Sequence, residues 1–215
     1  MKTRAFVFCG VLASIVYTCT VAAGGFLRPG YDHVSQFVSD LVASGAPHKR
    51  ILDLLFGLYN LLCLAFAWGV FSIVRADDQN SRKTFGVAGA LVLLCEGFFG
   101  LVTLLFPEDP SGLRITNVGI FHIVFAGLSS LATMISMVMV GLWFRTSSNV
   151  KPYGVYTFIS LTIVIVFGKL AASAGASHNP LAGLIERVTI GGFLQWMFVI
   201  ALRLPSVRAS TGSGT

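Results

Sequence analysis

Charge is scarce in this chain. Asp, Glu, Lys and Arg make up 11% of its 215 residues, less than half of the roughly 25% carried by a soluble domain. That shortage excludes a soluble globular enzyme, and with 55% hydrophobic residues it also excludes a disordered chain or a coiled coil. Cysteine is also sparse. Cys9, Cys19, Cys63 and Cys95 all fall inside apolar stretches and none form a CxxC pair. A disulfide scaffold is excluded, and the four read as small buried hydrophobes. There is no HExxH or comparable metal-ligand spacing.

What the chain does have is long apolar runs, with a mean hydropathy of +0.81. Crossing a bilayer takes roughly 20 apolar residues. Six stretches qualify, at about 5–26, 51–74, 84–106, 118–143, 153–174 and 182–203. They are too long and too uniformly apolar for barrel strands. The expected fold is all-α: a bundle of six transmembrane helices in a single domain over 1–207, followed by a disordered tail at 208–215. Met1 to Ala23 has the charged start and small-residue end of a signal peptide. Its apolar run is longer than a signal core, so the expectation is an uncleaved first span.

Basic residues mark the cytoplasmic side. With both termini inside, the inner side holds Lys2, Arg4, Arg75, Arg82, Lys83, Arg145, Lys151, Arg203 and Arg208 against Asp77 and Asp78. The other half carries six bases and seven acids. The net charge of +6 is thus a topology signal for a multi-pass protein of the cytoplasmic (inner) membrane. It does not indicate a nucleic-acid-binding surface, which would need a clustered basic face. All four histidines fall in the outer half, so any chemistry is expected to face outward.

Three outer loops carry the candidates. In the first, Val34, Phe37, Val38, Leu41 and Val42 recur at helical spacing. This predicts a short interfacial amphipathic helix, with Asp32, Gln36 and Asp40 on its polar face and His33 just before it. The second loop runs Phe106-Pro107-Glu108-Asp109-Pro110-Ser111-Gly112, a turn sequence. Thr116 or Asn117 can cap the next span, and His122 lies about one turn inside it. A carboxylate on a turn above a histidine suits a metal or an acid/base pair. The bland alternative is that Asp109 organises the turn and His122 bonds a loop carbonyl. The third loop offers His178, with Asn179 as N-cap and Pro180 at the first helical position. Glu186 and Arg187 follow and are expected to pair across helices. Within the spans, Glu96 and Lys169 are costly charges that imply a partner or a function; a mutual pair is one expectation.

These segments resemble a family. Arg28-Pro-Gly-Tyr-Asp-His-Val-Ser-Gln-Phe-Val-Ser-Asp-Leu41, Phe106-Pro-Glu-Asp-Pro110 with Thr116, Gly119 and His122, and Gly183-Leu-Ile-Glu-Arg187 with Trp196 and Arg203-Leu204 resemble the six-span bacterial and archaeal membrane family called domain of unknown function 998. The likeness covers essentially the whole chain. Two departures are Val38 where the family usually has Ile and Asp53 where it often has Asn. The resemblance implies the fold and the outer site but no activity. A weaker likeness is to the alkaline-ceramidase and progestin-receptor-like hydrolases, which hold zinc with His, Asp and Ser at one membrane face; here the order of residues differs.

Three functions stand open. One is a lipid- or ligand-binding or accessory membrane protein, with Asp32, Gln36, Arg187, Glu96 and Lys169 as ligand contacts and membrane lipids as partners. Another is a hydrolase or transferase acting on an outer-leaflet lipid, with Asp109, His122, Asp40 and Glu186 as catalytic residues. It would use a divalent metal such as zinc, held by Asp109, His122 and His178. The last is a proton- or ion-coupled transporter using Glu96 and Lys169, although no inverted repeat of broken helices is evident.

Overall fold

A computed structural model describes residues 2–77, 81–110, 114–146 and 150–211. Asp78, the turn residues Ser111 and Gly112, and 212–215 of the expected tail lie outside the described residues, while 208–211 continue the last helix rather than opening a disordered tail. Six helices carry the chain: α1 Lys2–Leu27, α2 Lys49–Arg75, α3 Lys83–Thr103, α4 Asn117–Phe144, α5 Lys151–Ala176 and α6 Ala182–Thr211. All six are long and apolar enough to cross a membrane, and no strand occurs among the described residues. The protein is a multi-pass membrane protein. Six crossings bring both termini to one face of the bundle, the terminal face. The segments 28–48, 104–110, 114–116 and 177–181 gather at the opposite, loop face.

The helices form a closed ring in chain order, each packed on its sequence neighbours, with α6 returning to α1. Lipid tails are as apolar as leucine, so close packing rather than water exclusion holds such a ring. At Gly69 of α2, an added Cβ would lie 2.7 Å from the backbone nitrogen of Val7 on α1, so the two backbones nearly touch. The terminal half of the ring is filled solid. Phe66, Trp143, Phe144, Trp196, Met197 and Ile200 are all within 1% of complete burial. Polar tips in this half find partners. Trp196 Nε1 donates to Thr157 Oγ1 at 2.9 Å and Trp143 Nε1 to Asp77 Oδ2 at 3.0 Å. Ser14 of α1 donates to the Leu194 carbonyl of α6 at 2.9 Å.

The loop half is plugged rather than filled. Val38, Leu41 and Val42 from the first loop pack with Leu52 and Phe56 of α2. The expected interfacial helix is reduced to one 3₁₀ turn, Ser39–Val42. Side chains and distant elements compete for its backbone groups. Asp32 accepts from the Val34 and Ser35 amides, and Asp40 from the Phe37 amide. The Val34 carbonyl goes to Leu184 of α6 at 2.8 Å. Two further expectations need correcting. Asn179 does not cap α6; its side chain accepts from Leu181 at 2.9 Å in a turn, and the helix starts at Ala182. Cys63 is buried, but Cys19 and Cys95 are exposed, on helix faces turned away from the core.

Candidate functional site

The three loop-face segments meet. Glu186 of α6 accepts from the Val38 amide at 2.7 Å. Arg187 donates to the Gln36 carbonyl at 2.8 Å and to the Tyr31 hydroxyl at 2.5 Å. Tyr31 donates in turn to the Phe37 carbonyl at 2.7 Å, and burial pushes its phenol up to about 12. Glu186 and Arg187 thus pair across elements, as the sequence suggests, but with the first loop rather than with a helix. The second loop joins through the Ser44 amide, which donates to the Glu108 carbonyl at 2.9 Å.

Most loop candidates are occupied locally. Asp109 takes the Thr116 amide at 2.6 Å and its hydroxyl at 2.9 Å. Thr116 caps α4 by accepting from Gly119 at 3.2 Å. Gly119 lies flush beneath this arrangement, since a Cβ there would sit 2.1 Å from Asp109 Oδ2. His122 is buried and its Nδ1 bonds the Phe106 carbonyl at 2.8 Å. Asp109 and His122 therefore do not pair. Asp32 binds its own turn, its carboxylate held below its ordinary value chiefly by the Ser35 hydroxyl. Gln36 accepts from the Asp32 amide at 2.8 Å. His178 is exposed at the end of α5 with φ 52. The proposed ligands Asp109, His122 and His178 are not gathered. No group of three or more His, Cys, Asp or Glu side chains is placed to hold a metal ion among the described residues.

Of the adjacent acids in the second loop, Glu108 is the one turned inward. Burial raises its carboxyl above the ordinary glutamate value, opposed by a hydrogen bond from Ser39 and by the nearby His122. Asp40, 3% exposed, is a further neighbour. Glu108 Oε2 is buried with no hydrogen-bond partner. No sequence signal separates Glu108 from Asp109; the Thr116 contacts make the choice.

Beneath the plug lies a cavity of about 650 Å³, bordered by all six helices. Its wall is largely apolar, with Phe56, Leu104, Met134, Val164, Ile190 and Phe193. The ionisable and amide groups on it are Asn60 of α2, Glu96 of α3, His122 of α4, Lys169 of α5 and Glu186 of α6, with hydroxyls such as Ser129 and Thr133 between them. Glu96 is 3% exposed and its Oε2 has no partner. Ser129 donates to the Glu96 backbone carbonyl at 3.1 Å and leaves the carboxyl alone. Glu96 and Lys169 form no ion pair, contrary to one sequence expectation; both line the cavity instead. Helices α4 and α5 meet closely near the terminal face, where Phe144 meets Tyr153 edge-to-face and Gly141 abuts Thr157 and Phe158. Toward the loop face, the lining residues Ser130, Lys169 and Ala172 on these two helices are exposed. These residues both line the cavity and reach the accessible surface.

A family model described as "Protein of unknown function (DUF998)" matches residues 11–203. No curated protein and no solved structure matches the chain.

Proposed function

This chain belongs to the DUF998 family, and we propose that it binds an amphiphile drawn from the outer leaflet into its intramembrane cavity. One observation carries the reading: an intramembrane cavity with a largely apolar wall, ionisable groups spaced around it and exposed lining residues on α4 and α5. Its volume lies in the roughly 300–1,000 Å³ range of small-molecule sites, and that mix of lining is what such sites use. The basic residues near the terminal face support termini in the cytoplasm and the loop face outside. The plug formed by Val38, Leu41 and Val42 keeps water off the cavity from above, and a lipid would enter between α4 and α5, where Ser130, Lys169 and Ala172 are exposed.

The test is lipid retention. Protein purified in mild detergent should carry a defined lipid in native mass spectrometry. Val164→Trp, which fills the wall, should lose it while the protein stays folded and monodisperse. Equal retention by both would sink the reading.

One observation favours a second reading, a hydrolase or transferase on the same lipid. A carbonyl can only accept, so His122 Nδ1 carries the proton in its bond to Phe106. In the neutral ring Nε2 is then an acceptor beside the cavity, as a general base requires. Turnover of the bound lipid that His122→Gln abolishes without releasing the lipid would establish it.

A further inference from the structure

We infer that the cavity selects an amphiphile with a zwitterionic head, its anionic group meeting Lys169 and its amine meeting Glu96. The inference rests on the lipid-binding reading above and adds the head-group class. Two observations are joined in it. A carboxyl oxygen of Glu96 is buried and unpartnered although the cavity has room beside it. An amine of opposite charge, Lys169, lines the same cavity without forming an ion pair.

The two groups sit at matching depth. Glu96 is seven residues short of Thr103, the loop-face end of α3, and Lys169 is seven short of Ala176, the loop-face end of α5. At about 1.5 Å per residue, both lie about 10 Å in. In the ring, α4 stands between α3 and α5, so the two charges flank it from either side across the hollow. Ser129 and Ser130 of α4 line the cavity between them. An ionisable group without a partner is expensive at this depth, and neither Glu96 Oε2 nor the Lys169 amine has an ion-pair partner here. A head carrying a phosphate or carboxylate and a primary amine would satisfy both at once. A purely anionic head would serve Lys169 and leave the Glu96 oxygen unmet. A quaternary ammonium would bring charge to Glu96 but no N–H to donate. The apolar wall below, from Met134, Val164 and Phe193, suits a chain attached to that head. Lys169, exposed on α5, stands where the head would enter.

The experiment is a competition read by native mass spectrometry. Delipidated full-length protein in non-ionic detergent micelles is given equimolar lysophosphatidylethanolamine, lysophosphatidylglycerol and lysophosphatidylcholine. The ethanolamine lipid should exceed each of the others among bound species by about tenfold, the worth of one charge-assisted hydrogen bond. Glu96→Gln should still bind lysolipid but with the preference for ethanolamine lost. Lys169→Met should weaken all three heads together. Equal binding of the three heads by the unaltered protein would overturn this inference and leave the lipid-binding reading standing. An unchanged preference in Glu96→Gln, or unchanged binding in Lys169→Met, would also overturn it. Absence of saturable binding to any head would instead refute the lipid-binding reading itself. Glycerophosphoethanolamine, the head without a chain, should not displace the lipid at equal concentration. Displacement would keep the zwitterion and replace the amphiphile with a soluble ligand. Circular dichroism and gel filtration confirm that each variant is folded.

Discussion

At the scale of single residues, the second loop separates two adjacent acids by what each touches. Asp109 is satisfied by Thr116, while Glu108 is buried with one oxygen unpartnered. Removing the first should therefore destabilise, and neutralising the second should not. Asp109→Ala removes the charged acceptor of two hydrogen bonds donated by Thr116 and should cost about 1.5–3 kcal/mol in detergent melting, with Asp109→Asn milder. Glu108 provides a pH test. Burial favours its neutral form in the fold. Its stabilising contribution is complete below the ordinary glutamate value of 4.5 and is lost as pH rises through the raised folded value. Glu108→Gln, neutral throughout, should melt higher than the unaltered protein at pH 8. The two should converge at pH 4, and a gap that widens on acidification would contradict the assignment.

At the scale of elements, the first loop has the periodicity of a helix but not the structure of one. Its apolar stripe does what the spacing implies, since Val38, Leu41 and Val42 are buried. Its backbone does not, because α6 supplies better partners than the next turn would. Gly183 makes that contact feasible. A Cβ there would stand 2.1 Å from the Gln36 carbonyl oxygen, a backbone atom that cannot move aside alone. Gly183→Ala should cost about 1–3 kcal/mol and speed proteolysis of the first loop. Gly191, in the same helix, has nothing within 4 Å of an added Cβ. Gly191→Ala should be neutral or gain up to about 1 kcal/mol of helix propensity. Equal losses at both sites would mean that the α6 contact with the loop contributes little.

At the scale of the molecule, the ring is solid at its terminal half and hollow at its loop half. Orientation decides which leaflet the hollow serves. Cysteines introduced at the exposed Ser44 and Ala76 sit at opposite faces. An impermeant maleimide applied to intact cells should label Ser44→Cys and spare Ala76→Cys until the membrane is opened. The opposite pattern would place the hollow against the cytoplasmic leaflet and move the ligand search there.

The sequence by itself determined the six spans, the gathering of acids and histidines at one face and a cap for α4 at Thr116 or Asn117. Each depends on composition or short-range spacing, and a helix end or an apolar run is decided within a few residues. It also placed the three loop motifs in the order of the family they resemble, and left open whether they meet. The tertiary structure showed that they do, in the Gln36–Arg187, Val38–Glu186 and Ser44–Glu108 contacts. It also decided which acid turns inward, why the first loop is not a helix, and that Glu96 and Lys169 face a cavity rather than each other. These outcomes hinge on which groups from distant segments reach the same point. A closed ring sets that, because its neighbours are fixed only when α6 returns to α1 and leaves the loop half of the interior unfilled.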